Sequence, residues 1–185
     1  MKAPRVARRR STFLAPVWLA LFAFAALAIA SITFWTRATT TTIVLVRHAE
    51  KQFGTIEDPP LTQEGDERAQ RLAGLFGERS QVGQVHAIYA TKTRRAQATA
   101  APLAARLGLT VITADESPEV LARRVRREQH GRATLIVGHS NTVPQVVAAL
   151  TGRRDIPAIA DDDYGTIYIV TVADVGRASV LRLRY

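Results

Sequence analysis

Ile43-Val44-Leu45-Val46-Arg47-His48-Ala49-Glu50 is an apolar run that stops abruptly in an arginine, a histidine and a carboxylate. Consecutive branched aliphatics fit a strand buried on both faces of a parallel sheet, and open α/β sheets place their ligands beyond the carboxyl ends of such strands. Arg47 and His48 are therefore candidate site residues. A histidine at that edge can present a neutral ring nitrogen as a nucleophile, and the adjacent guanidinium is a planar fork matched to phosphate oxygens. The pair points to phosphoryl chemistry. A solvated charge beside a capping histidine would leave the same trace, so the pair alone does not decide.

Two later stretches decide it. Tyr89-Ala90-Thr91-Lys92-Thr93-Arg94-Arg95-Ala96-Gln97-Ala98-Thr99-Ala100 is the first, and Thr134-Leu135-Ile136-Val137-Gly138-His139-Ser140-Asn141-Thr142 is a second buried-strand pattern ending in histidine. Together with Arg47-His48-Ala49-Glu50 they resemble the Arg-His-x-Glu, Arg-Ala-x-x-Thr and Gly-His motifs of the histidine phosphatase superfamily, the phosphoglycerate-mutase-like proteins. The resemblance runs from about Thr42 to about Tyr185 and includes Leu61-Thr62-x-x-Gly65, which is similar to the family's helix start. It implies a phosphohistidine intermediate on His48, in a pocket formed by Arg47, Arg95 and His139. Arg94 competes with Arg95 for the phosphate role, but only Arg95 stands directly before Ala96 and four residues before Thr99, as the motif requires.

The chain has 185 residues, a single-domain length once a targeting segment is set aside, and its 47% hydrophobic content is ample for one core. It has no cysteine, which excludes disulfides and thiolate metal sites without indicating a compartment. The net charge of +9 suggests nucleic acid until it is partitioned: Lys2, Arg5, Arg8, Arg9 and Arg10 precede residue 36 with no acid, leaving 20 basic against 16 acidic side chains, or +4, for the remainder. No aromatic-interleaved basic patch or readout helix is visible, so nucleic acid is not an expected partner.

The basic cluster leads into an uncharged stretch, Ser11 to Thr36, whose apolar part runs from Phe13 to Trp35. A membrane-spanning helix needs about 20 mostly apolar residues and a signal-peptide core about 7 to 15, so length favours an uncleaved anchor. Ala28-Ile29-Ala30 before Ser31 is nevertheless an A-x-A-like cleavage signal, and Arg9-Arg10 with Phe13-Leu14 resembles a twin-arginine signal with one extra residue. Either way the positive-inside rule puts the residues after Trp35 outside the cytoplasm, in the periplasm if the source is bacterial.

The expected fold is α/β: a three-layer, doubly wound, mostly parallel sheet with helices on both faces and a C-terminal antiparallel strand pair, behind an N-terminal transmembrane or signal helix. Residues 1–36 are read as the basic n-region with its anchor or signal peptide, 37–41 as a threonine-rich linker and 42–185 as the phosphatase-like domain. Within the domain, Lys51 to Leu61 is an exposed loop rimming the site, Thr62 caps a helix that Gly77 stops, and Val85 to Thr91 is the second strand. Pro102 predicts a kink or a late start in the next helix. Leu109 to Thr113 is a third strand, Ser117-Pro118 starts another helix, and Arg123-Arg124-x-Arg126-Arg127 with His130 reads as that helix's solvated face and end. Ser140 or Asn141 caps the helix after His139, where Asn141 and the backbone amides are placed to hold phosphate. His86 reads as structural or exposed. Asp161-Asp162-Asp163 reads as a plain exposed loop rather than a calcium site, and Gly165 to Val172 with Ala178 to Tyr185 as the closing strand pair with one wet face.

Neutral His48 would attack phosphorus while Arg47 and Arg95 grip the oxygens and His139, if protonated, adds a further positive donor; water then hydrolyses the phosphohistidine, with no metal or other cofactor. Many members of the resembled family carry an acidic proton donor after the second arginine motif. Glu116 and Asp115 are the nearest candidates here and Glu50 a third. Without a donor, the chemistry favours good leaving groups such as a phosphoramidate, as in the small bacterial phosphohistidine phosphatases this compact domain resembles. The expected substrate is thus a phosphorylated small molecule or a phosphohistidine protein. A mutase is disfavoured because about 145 residues leave no room for an enclosing lid. The competing class is a non-catalytic phospho-ligand-binding module of the same fold.

Overall fold

Strand β1 (Thr40–Arg47) sends its side chains alternately into two cores, Ile43 and Leu45 to one face, Val44 and Val46 to the other, all fully buried. Both faces of its sheet must therefore be covered, which is why the run reads as unbroken aliphatic. The computed structural model describes residues 15–37, 39–54, 57–77 and 84–185, without the side chains of 15, 16 and 34–37. The chain divides into two units, Met1–Ala38 and Thr39–Tyr185.

In the second unit, β1 is joined by β2 (Val85–Ala90), β3 (Val111–Thr113), β4 (Ala133–Gly138), β5 (Thr166–Ala173) and β6 (Ser179–Arg184) in a six-stranded sheet of order β3-β2-β4-β1-β5-β6. The first four in that order pair in parallel, and β5 and β6 continue antiparallel. Helices α2 (Gln63–Phe76) and α3 (Arg94–Leu107) cover one face with Leu72, Phe76, Ala100 and Leu103. On the other face, α4 (Pro118–Glu128) and α5 (Thr142–Thr151) contribute Leu121, Val125, Val147 and Leu150. This is the three-layer arrangement expected, with a mixed sheet.

Local signals set several element ends. Thr62 caps α2 by accepting from the Gly65 amide, Ser117 caps α4 by accepting from the Val120 amide with Pro118 at the first helical position, and Gly108 closes α3 in the left-handed conformation. Gly65 has a further role: a Cβ there would strike the Glu50 carbonyl oxygen, so only glycine lets α2 begin hard against the strand end that carries His48.

The structure revises other expectations. Thr40 and Thr41 of the supposed linker already belong to β1, as β-branched residues favour. Helix α3 starts at Arg94 and runs through Pro102 to Leu107, so the start is not late; the ring displaces a single turn bond while Leu103 and Ala104 stay buried. Asp163 is not part of a plain exposed loop. It is buried and accepts from the Gly165 and Thr166 amides, the Thr166 hydroxyl and Arg182, which pins the start of β5. Arg124 is not merely solvated either: it pairs with Glu116 at 3.0 Å and Glu128 at 3.2 Å, and its guanidinium carbon lies 5.4 Å from the Tyr89 ring centre. His86 is exposed.

The first unit holds α1 (Ala15–Arg37). Val17, Trp18, Phe22, Phe24, Leu27 and Ile32 are all exposed on it, and no polar face interrupts them. Among the described residues no helix is long and apolar enough to cross a membrane. Side chains are described only over residues 17–33 of this helix, about 25 Å of rise, and the expected apolar stretch Phe13–Trp35 passes both ends of that span. The basic cluster and Phe13-Leu14 lie outside the described residues.

Replacing Gly65 by Ala is expected to destabilise the domain by about 1–3 kcal/mol, the cost of forcing a methyl into a filled space. Chemical denaturation of the purified protein measures it, and an unchanged midpoint would show that the α2 start can slide away from Glu50.

Candidate active site

Parallel pairing brings the site together. Arg47 lies opposite Gly138 in the β1–β4 register, and Val137 lies opposite Ala90 in the β4–β2 register, so the three strands end level. The His48 amide donates to the Gly138 carbonyl at 2.9 Å and the Thr91 amide to the Val137 carbonyl at 3.3 Å, which carries the alignment one residue past the strands. Gly138 is needed for closeness: a Cβ would lie 2.9 Å from the Thr142 hydroxyl and 3.1 Å from a Val143 methyl, where α5 begins. Thr142 in turn accepts from the His139 amide at 2.9 Å.

His48 is 3% exposed, and its two ring nitrogens have different partners. Nδ1 donates to the Ala49 carbonyl at 2.7 Å, while Nε2 accepts from Arg95 Nε at 3.2 Å. An acceptor facing the guanidinium must be an unprotonated nitrogen, so these partners select the neutral tautomer with its lone pair on Nε2. Burial pushes the ring's pKa down to about 3; the Ala49 hydrogen bond opposes this, and His139, Arg47 and Arg95 add to it. The His139 ring is 5.3 Å away, edge on, with Nε2 3.0 Å from the Thr91 hydroxyl. Burial, then Arg95 and Arg47, lowers its pKa too.

Arg47 is 5% exposed and held from one side. Its Nη1 donates to the carbonyls of Ala160, Asp161 and Asp163 at 2.9, 2.8 and 3.3 Å, and its guanidinium carbon sits 4.2 Å from the Tyr164 ring centre. Nε of the same side chain is buried without a partner. A buried, charged donor left open is what an anion site requires. Arg95 is fixed at both ends: Thr99, fully buried, donates to the Arg95 carbonyl at 2.7 Å and accepts from the Ala49 amide at 2.9 Å, and Asp58 takes Arg95 Nη1 at 3.1 Å.

Four of the residues singled out in the sequence, Arg47, His48, Arg95 and His139, thus converge. Others do not join them. Glu116 is bound to Arg124, Asp115 accepts from the Lys92 amide at 2.9 Å, and Glu50 is gripped by Arg68 through Nε at 2.7 and 2.9 Å. Burial alone would raise the Glu50 pKa, but these bonds outweigh it and hold the carboxyl below its ordinary value. Asn141 precedes α5 but is exposed and makes no side-chain capping bond. Arg94 is exposed, its amide donating to Asp58 at 2.9 Å. Asp58 and Tyr164 had escaped notice: both lie on irregular segments, and only the Pro59-Pro60 turn beside Asp58 marked its position. Among the described residues, no group of three or more His, Cys, Asp or Glu is placed to hold a metal ion.

The model of the histidine phosphatase superfamily (branch 1) matches residues 43–121, the span that carries His48, Asp58, Arg95 and Thr99. The match spans somewhat under half of the chain and marks that span as similar to the histidine phosphatase superfamily. It supports a phosphatase as the class of activity. Solved structures agree with this chain in fold. The protein histidine phosphatase SixA complexed with tungstate is 17% identical with a TM-score of 0.65, over 77% of this chain and 96% of that one. A putative phosphohistidine phosphatase SixA from Nakamurella multipartitia is 21% identical with a TM-score of 0.61, over 80% and 97%. A mycobacterial glucosyl-3-phosphoglycerate phosphatase is 17% identical with a TM-score of 0.56, over 76% and 100%. No curated protein matches the chain.

Asp58 orients Arg95 through Nη1, and misplacing a positioned group by an ångström can cost about a hundredfold. Asp58→Ala is expected to lower kcat on an aryl phosphate about tenfold to a hundredfold while thermal unfolding stays nearly unchanged. An unaltered kcat would show that Arg95 keeps its place without the clamp.

Proposed function

We propose that this protein hydrolyses a phosphomonoester or phosphoramidate through a phosphohistidine formed on His48. One observation carries the reading: His48 presents an unprotonated Nε2 beside Arg95, its Nδ1 proton held by the Ala49 carbonyl. Entry of the phosphoryl group would draw the Arg95 Nε proton to a phosphate oxygen and free the lone pair. Nε2 then bonds to phosphorus as the bond from phosphorus to the leaving atom breaks, and the leaving atom departs with the electron pair and takes its proton from solvent. Water attacks phosphorus in the second step, the bond between nitrogen and phosphorus breaks, and phosphate departs from neutral His48. Arg47 Nε, Arg95 and His139 meet the charge on the three equatorial oxygens, a role that calls for no metal. The dianion would raise the His139 pKa and favour its protonated form.

Glu50, Asp115 and Glu116 are each tied to a basic partner, which weakens the case for any of them as the leaving-group acid. Substrates that leave readily fit best; phosphohistidine is one, and the structural neighbour from Nakamurella multipartitia is named a putative phosphohistidine phosphatase. Binding without turnover is the alternative reading, and the unprotonated Nε2 of His48, directed at Arg95, argues against it.

The catalytic unit is further proposed to be exported and tethered at the outer face of a membrane. Support comes from the charge order of residues 1–36 and the exposed apolar side chains of α1. Cell fractionation is expected to find the full chain with membranes. Soluble cytoplasmic protein with an intact Met1 end would refute the proposal, and a mature end at Ser31 would correct only the tether.

Rapid-quench labelling with phosphate-labelled substrate tests the chemistry, in the presence of EDTA. His48→Ala should abolish both turnover and an acid-labile, base-stable phosphoenzyme. His139→Ala should slow labelling by about 10²- to 10³-fold, the effect of losing one charge-stabilising donor, and still permit it. Label on His139, or activity that vanishes with EDTA and returns with a divalent metal, would overturn the role assignment.

A further inference from the structure

A second cavity shares Thr91 and His139 with the proposed phosphate site and runs inward from them between the sheet and helices α4 and α5. Its volume is about 160 Å³, and its apolar wall is Leu121, Ile136, Val143 and Val146 with Ala114 and Pro118. Of the charged groups that line it, Lys92 meets Asp115 at 3.7 Å and Glu116 is turned to Arg124 at 3.0 Å. The carboxylates are therefore committed, which leaves little to hold a cationic group. The lining hydroxyls are engaged as well, Thr91 with His139 and Thr93, and Thr142 with the His139 amide, which leaves few partners for a sugar's hydroxyls. What remains is shape and an apolar wall: an apolar cavity near 150 Å³ accepts a benzene-sized guest.

We propose that this cavity receives a compact apolar aryl group, so that aryl phosphates are the substrate class whose leaving group is seated there beside His139. The proposal rests on the phosphatase reading above. It also answers that reading's shortage of a free leaving-group acid, because a phenolate leaves with far less help than an alkoxide. Burying one ring in such a wall discriminates through area, and a well-fitted apolar pocket separates ligands by about 10- to 200-fold for each methylene-sized difference.

The test uses the full chain, phenyl phosphate and acetyl phosphate as substrates, and fluorobenzene as a probe followed by fluorine NMR. Fluorobenzene is expected to bind saturably, and to inhibit phenyl phosphate hydrolysis competitively while leaving acetyl phosphate hydrolysis almost untouched. Val146→Phe, which fills the cavity, should abolish the binding and lower kcat/KM for phenyl phosphate at least about tenfold, with acetyl phosphate held within about twofold. Should that variant fail to fold, the competition pattern in the unmodified protein decides alone. Hydrolysis of both substrates with no saturable fluorobenzene binding overturns the cavity assignment and leaves the phosphatase reading standing. Fluorobenzene bound with neither substrate hydrolysed overturns the phosphatase reading and, with it, the substrate class.

Discussion

The parallel pairing of β1 with β4, which sets Arg47 level with Gly138, is the constraint on which the active edge depends. A strand's side chains alternate, so a slip of one residue would turn Arg47 away from its carbonyl cradle and carry His48 off the line it shares with His139. The register is held by burial on both sides: Ile43 and Leu45 are locked into one core, Val44 and Val46 into the other. Two close approaches then refine it. Gly65 lets α2 press against the Glu50 backbone, and Gly138 lets α5 press against the strand end. The precision of the site is thus a property of layers far larger than the site.

Within that frame each basic group is oriented by a partner on its outer side, and its inner side is left for the ligand. Arg47 is fixed by three backbone carbonyls and a tyrosine face, Arg95 by Asp58 and by the buried Thr99. Few formal charges are needed to do this, because carbonyl dipoles position a guanidinium without neutralising it. The same crowding of positive groups around a buried imidazole keeps His48 neutral, and the result is an unprotonated nitrogen surrounded by hydrogen-bond donors.

The parts of this arrangement that were readable in the sequence share a cause. Ile43 to Val46 and Thr134 to Val137 announce strands because burial on both faces leaves no room for polar residues, and Thr62 and Ser117-Pro118 announce helix starts because capping is local chemistry. Residues whose role comes from distant chain were opaque. Asp58 meets Arg95 from a loop with no periodicity, 37 positions away. Asp163, in a run of three aspartates, is buried by β5 and Arg182, which no local pattern reveals. Glu116 has the right charge in the right neighbourhood for a proton donor, but Arg124, two turns along, claims it. Pro102 carries a strong local signal, yet α3 runs through it, since Ala100 before the ring and Leu103 after it are fully buried.

The neutrality of His48 has a consequence for the fold itself. Its folded-state pKa of about 3 lies below the ordinary 6.5, so between those values an unfolded chain binds a proton that the native chain refuses. Native stability therefore falls as pH drops through that window, and protonation of the Glu50 and Asp163 carboxylates, which their partners hold below the usual range, adds to the loss further down. An oxyanion seated between Arg47 and Arg95 would work in the opposite sense. Bound to the native state alone, it would ease protonation of the neighbouring imidazoles, so that occupancy by phosphate would double as protection against acid unfolding.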